Sequence, residues 1–241
     1  MARPSNPWDA YATAYAQFIA EREQADLARD PILSGMLALL GDLAGQTVLD
    51  AACGEGFLSR LLAARGARVI GIDLSPRLIH QARAKNPTDA IEYRVGDLSQ
   101  PLPQLAAHFD RIGSHLALND VRDHRGFATT LAAVAKPGAR VVLAFNNPYS
   151  LVVRGHITDY FENGAIGVYR GLSARGIQAH YYHRTLEEYL DAFLAAGLRL
   201  AKLVDVPAPA GLPWLLPPEA RLPLFMLLAF DKPQPTAEGG R

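Results

Sequence analysis

Cysteine is all but missing from this chain: in 241 residues, Cys53 stands alone. A lone thiol excludes an internal disulfide framework and suits a reducing cytoplasm. Nothing beside it would stabilise a thiolate, so Cys53 reads as a small packing residue. An excess of one charge is missing too, because 24 Lys and Arg balance 24 Asp and Glu. No overall positive field draws the chain to nucleic acid or to an anionic membrane, and neither is an expected partner. Long apolar runs are absent. The opening "MARPSNPWDAYATAYAQF" has no signal core, and no stretch reaches the length that spans a bilayer.

What is present is a regular rhythm. Its length suits one α/β domain spanning 1–241. The first 44 residues read as a helical cap, with Trp8, Tyr11, Tyr15, Phe18 and Ile19 at helical spacing and Pro31 opening a second helix. Strand and helix then alternate: "TVLDAA", "GFLSRLLAARG", "ARVIGIDLS", "PRLIHQARAK", "IEYRVGDLS", "FDRIGSHLAL", "RDHRGFATTLAAVAKPG" and "ARVVLAFN". Such alternation predicts an open, Rossmann-like parallel sheet with helices on both faces. From Asn146 to Arg184 the periodicity stops, as expected of a substrate lid inserted after strand five. Thr185 with Glu188 then caps "LEEYLDAFLA", ended at Gly197. "LRLAKLVDV" and "LPLFMLLAFD" lack a helix between them, which predicts an antiparallel pair at the sheet edge. The tail 233–241 reads as flexible.

The stretch "VLDAACGEG" carries the chemistry. Ligands of open α/β sheets bind beyond the carboxyl ends of the strands, where Gly54 and Gly56 lie. A dinucleotide fingerprint would need a third glycine where Ser59 stands. Asp50 at the mouth of the loop would repel a pyrophosphate but favour a sulfonium, while N–H groups opening the next helix could take a carboxylate. The acid points to S-adenosylmethionine (SAM) and disfavours a nicotinamide dehydrogenase. Asp73 ends the second strand, placed for ribose hydroxyls, and Asp97 ends the third, placed for an adenine amino group with Leu98 against the base.

On these motifs, with "VIGIDLS", "GDLSQPLP" and "VAKPGARVVLAF", the chain resembles the class I SAM-dependent methyltransferases. It is similar to the small-molecule branch of ubiquinone and menaquinone type. The resemblance implies a seven-stranded sheet in order 3-2-1-4-5-7-6 with strand seven antiparallel. It implies that Asp50, Ala52, Gly54 and Gly56 cradle the methionine part, Asp73 and Leu74 the ribose, and Asp97 and Leu98 the adenine. Ala52 departs from the glycine common in the family, at little cost unless a positive φ is needed there. In similar enzymes the N-terminal helix closes over the cofactor, which would bring Tyr11 and Tyr15 to it.

Methyl transfer from a sulfonium needs alignment more than reactive side chains, so no metal is expected. His115, after strand four, is the candidate base; its other reading is packing beside the cofactor. Asn146, Tyr149, His156 and Tyr160 are the expected acceptor-pocket residues. "NNPYS" resembles the N-P-P-Y signature of base-amine methyltransferases, but it follows strand five rather than four. The lid aromatics Tyr160, Phe161, Tyr169, Tyr181 and Tyr182, with Trp214, predict a flat or apolar small acceptor. The expected reaction is methyl transfer to O, N or C of that molecule. Two other readings stand beside it: a SAM-binding protein that transfers no methyl, and a nucleic-acid or protein methyltransferase, against which the neutral charge speaks. Nothing in the sequence fixes an oligomeric state.

Overall fold

The computed structural model describes residues 7–23, 30–86, 88–166, 176–177, 181–207 and 222–235. Two helices come first, α1 (Pro7–Glu23) and α2 (Pro31–Leu40). Pro31 takes the first helical position of α2, and buried Asp30 caps it by accepting from the N–H groups of Ile32 and Leu33. The alternating part follows: β1 (Thr47–Ala51), α3 (Phe57–Ala63), β2 (Arg68–Asp73), α4 (Pro76–Ala84), β3 (Ile91–Val95), β4 (Phe109–His115), α5 (His124–Val134) and β5 (Ala135–Asn146). After it come α6 (Pro148–Val153), β6 (Gly164–Ile166), β7 (Tyr181–His183), α7 (Leu186–Ala195), β8 (Arg199–Val206) and β9 (Phe225–Asp231).

Seven strands form one sheet in the order β3-β2-β1-β4-β5-β9-β8. The first five run parallel, and β9 lies antiparallel between β5 and β8. Since β6 and β7 pair only with each other, β8 and β9 are the sixth and seventh strands of the main sheet, and the expected order holds. Within 146–184 the described residues include regular elements that the lost periodicity does not suggest. Within it, α6 starts at Pro148 under an Asn147 cap, and the small β6–β7 ladder closes its far end. Residues 167–175 and 178–180, with Tyr169 among them, lie outside the described residues, as do Trp214 and 236–241.

The central strands are buried on both faces, as parallel strands under two helical layers must be. One apolar cluster gathers Leu49, Ile112, Phe127, Phe145, Tyr189, Phe193 and Phe230 beneath α5 and α7, where Phe193 stacks on Phe230 at 5.1 Å. The other gathers Ile32, Leu33, Met36, Leu40, Val48, Leu58 and Leu62 beneath α2 and α3. Each such fully buried side chain contributes about 1.5–3 kcal/mol relative to exposure. Helix α5 stops at Val134 rather than at Pro137, and β5 begins at Ala135 with a register shift against β4 between Phe109 and Arg111. Proline cannot continue the helix, and the shift lets the strand absorb it before the regular pairing starts at Arg140.

Candidate functional site

The carboxyl ends of β1, β2 and β3 converge on the loop 52–56. Gly54 (φ +56°) and Gly56 (φ +88°) hold the left-handed backbone that turns β1 into α3. A Cβ at Gly56 would stand 2.3 Å from the Tyr93 hydroxyl, so that position admits no side chain. Ala52 also has positive φ, +59°. The glycine common in the resembling family would meet no strain there, whereas this chain's methyl group does.

The three acids occupy three different environments. Asp50, within β1, is 1% exposed and lies under the loop, accepting from Ser59 Oγ at 2.5 Å. Ser59, which denies the loop a dinucleotide fingerprint, thus holds the motif's own acid. Burial pushes the Asp50 carboxyl up to about 7, against the lowering effect of the Ser59 bond. Asp73, ending β2, receives Gly54 N–H at 2.9 Å and Ser75 N–H at 2.8 Å. It therefore ties the glycine loop to the start of α4, and each oxygen keeps lone-pair capacity for a ligand hydroxyl. Asp97 lies two residues beyond β3 and is exposed, accepting from the N–H and Oγ of Ser99, while Leu98 is buried.

An apolar strip flanks these acids. Leu74 and Val95, at the ends of β2 and β3, are 49% and 46% exposed. A planar base laid along that edge would cover them. From above, Tyr15 of α1 comes within 3.4 Å of where a Gly54 Cβ would be, and Tyr15 packs edge-on against Trp8 at 5.2 Å. Tyr11 is half-buried on the same helix. Helix α1 is fastened by Asp9, which accepts from Ser75 Oγ at 2.5 Å and Arg77 N–H at 3.3 Å at the start of α4. A carboxylate there is also favoured by the helix dipole.

On the other side of the cleft are β4 and β5. His115 ends β4 and faces Phe57, the first residue of α3, at 6.2 Å. Leu116 follows in the left-handed region (φ +55°), unusual for a large side chain and the kind of strain that collects at sites. Asn146 at the end of β5 is joined through its N–H and side-chain amide to Asn119 Oδ1, and Asn119 in turn donates to the Tyr189 hydroxyl. Tyr149 and Tyr160 are brought together, stacked at 4.8 Å and 8°, and His183 packs edge-on against Tyr160. His156 is half-buried after α6, its N–H on the Leu151 carbonyl.

Sequence reading missed Asp9, Asn119 and Asp120, and gave Ser59 no part beyond the fingerprint it breaks. Asn119 and Asp120 lie in a 3-10 turn, Leu118–Asp120, that reads as plain loop because the contacts of Asn119 with Asn146 and Tyr189 are distant in sequence. Among the described residues, no group of three or more His, Cys, Asp and Glu could hold a metal, and no helix is long and apolar enough to cross a membrane.

Comparison with known proteins decides between ligand classes for this cleft. The family model described as "Methyltransferase domain" matches residues 49–143, from β1 into β5. The ubiquinone biosynthesis O-methyltransferase of Xanthomonas oryzae pv. oryzae is 31% identical over 182 residues, 73% of this chain and 70% of that protein. The chain belongs to the class I SAM-dependent methyltransferases. Other relatives match over less: the demethylmenaquinone methyltransferase of Tropheryma whipplei (strain Twist) is 37% identical over 116 residues, 47% of this chain and about half (48%) of its own length. The solved S-adenosylmethionine-dependent methyltransferase of Mesorhizobium loti superposes with a TM-score of 0.66 at 26% identity, over 83% of this chain and 96% of its own. For a methyltransferase of this class the cofactor is SAM, and the pocket fits it. Gly56 has no room for a side chain, a carboxylate stands beside the loop on Gly54 N–H, and an apolar edge lies open next to both.

Proposed function

We propose that this methyltransferase moves a methyl group from SAM to a small aromatic or apolar organic molecule. Bound SAM supplies an electrophilic methyl on a sulfonium. The chain's share is to hold, orient and enclose. Asp73 holds the ribose while Gly54 and Gly56 admit the methionine part. Asp97 and Leu98 take the adenine, and Tyr11 and Tyr15 cover the loop. Asn146, Tyr149, His156 and Tyr160 border the acceptor. Alignment of this kind accounts for roughly 7–11 kcal/mol of a barrier in well-oriented systems.

One observation carries this reading. The Asp73 carboxylate binds the Gly54 N–H of a left-handed glycine loop at the carboxyl edge of the sheet, within a chain of this family. The acceptor class rests on two supports: the stacked Tyr149 and Tyr160 beyond the end of β5, and relatives named as a demethylmenaquinone methyltransferase and a ubiquinone biosynthesis O-methyltransferase. The balanced charge of 24 against 24 speaks against a nucleic-acid acceptor. Incubating the protein with SAM and a panel of phenols, catechols and hydroquinones, read by mass spectrometry, tests it. Formation of S-adenosylhomocysteine with a methylated product supports the proposal. Cofactor binding with no transfer to any small molecule contradicts it and favours a binding protein on the same fold.

A further inference from the structure

The turn after β4 holds a carboxyl group with one buried oxygen that has no hydrogen-bond partner among the described residues. Asp120 is half-buried as a residue, yet its Oδ1 is sealed from solvent and meets no hydrogen-bond donor among the described residues. Such a group costs on the order of 1–3 kcal/mol unless something satisfies it. Its neighbours keep it in place. The Asp120 N–H closes the turn on the Ala117 carbonyl. Asn119 binds the end of β5 and Tyr189 of α7, and Arg184 grips the carbonyls of Val121 and Arg122. In the sheet order, this turn stands between the β1–β3 edge that carries the cofactor residues and the β5 edge that leads to Asn146 and Tyr149.

We propose that Asp120 receives the proton of an acceptor hydroxyl, so that this enzyme methylates oxygen. This rests on the methyltransferase reading above. As the acceptor oxygen forms its bond to the methyl carbon, the carbon–sulfur bond breaks and its electron pair stays on sulfur. The O–H bond breaks too, and the proton passes to the Asp120 carboxylate. Charge balances: a sulfonium and a carboxylate become a thioether and a neutral acid. A buried base fits a hydroxyl better than an exposed one, because burial holds the Asp120 carboxyl well above the usual carboxylate range and the nearby Asp73 charge pushes the same way. A sulfonium beside Asp73 opposes both effects and favours the ionised carboxylate; once it has become a thioether that support is gone. Among the described residues, the titratable groups that interact electrostatically with this carboxyl are Asp73 from β2 and Tyr189 from α7.

Two measurements on wild type and Asp120→Asn test it. The first needs no acceptor: calorimetric binding of SAM and of S-adenosylhomocysteine, in buffers of different ionisation enthalpy. Wild type is expected to release more protons on binding the sulfonium than on binding the thioether. The variant should narrow that gap while binding S-adenosylhomocysteine as tightly as wild type. An unchanged gap overturns the proposal. The second is methyl transfer to phenols of graded acidity. With weakly acidic phenols, Asp120→Asn should lose about 100-fold or more, the scale of general-base catalysis. With a nitro-substituted phenol already ionised at neutral pH, the loss should shrink at least tenfold. An equal loss with every phenol, or none, overturns the role of Asp120 and leaves the methyltransferase reading standing. Wild-type protein that binds cofactor but methylates no small molecule overturns that reading instead, and the proton-release result then decides whether Asp120 answers to the sulfonium.

Discussion

Ala52 sits in the left-handed backbone region (φ +59°) with a methyl group that the motif's usual glycine lacks. The sequence allowed for this cost only if the position demanded positive φ, and it does. Ala52→Gly should therefore stabilise the protein by about 1 kcal/mol, since a Cβ is strained there. Thermal unfolding should show a midpoint raised by about 2–4 °C in a domain of this size; a lowered midpoint would refute the strain. Asp50 makes a pH-dependent contribution. Its folded carboxyl lies up to about 7, above the ordinary 3.8, so the unfolded chain loses that proton first. The group's contribution is present in full below about pH 4 and declines as pH rises toward about 7. Wild type should thus lose stability relative to Asp50→Asn over that window, by at most about 1.4 kcal/mol per pH unit. Parallel urea titrations of both proteins would check it, and parallel curves would refute it. That an acid stands at or near the carboxyl end of each of three successive strands is legible from the letters "VLD", "GID" and "VGD". That one is sealed under the loop, one bridges loop to helix and one stays in water depends on packing that no local pattern records.

Among the elements, α1 packs through Ile19, Tyr15 and Phe18 and is also pinned near its start. Tyr15 packs against Gly54 of the loop, and Asp9 fastens the helix to the start of α4 through Ser75 and Arg77. Removing that carboxylate with Asp9→Ala should cost about 1 kcal/mol, as losing a helix-terminus bond does. The cost should fall on α1 alone. Hydrogen exchange of residues 7–23 should quicken while β1, β4 and β5 keep their protection; unchanged exchange in α1 would show the fastening to be idle. The helical spacing of Tyr11, Tyr15 and Phe18 made this helix readable, but its landing point was not, because the Asp9–Ser75 pair spans 66 residues. Helix α6 and the β6–β7 ladder were missed for a related reason. Six- and three-residue elements are too short to establish a period, and their stability comes from contacts such as Tyr149 on Tyr160.

For the molecule as a whole, the order of strands was readable because alternating apolar strands and capped helices allow few topologies, and two closing strands without a helix between them must pair antiparallel. That the glycine loop and the acids gather at one edge was readable for the same reason, since the fold fixes where the carboxyl ends of β1, β2 and β3 lie. The joining of Asn119 to Asn146 was not, because the two come together only when β4 and β5 are side by side. The account's central claim is that the carboxylate on Gly54 makes this edge a SAM pocket. Calorimetry with S-adenosylhomocysteine, on wild type and Asp73→Ala, tests it most directly. Tight binding that disappears in Asp73→Ala, with no affinity for NAD in either protein, is the predicted result. Undiminished binding in the variant, or a wild type that takes NAD and ignores S-adenosylhomocysteine, would contradict it.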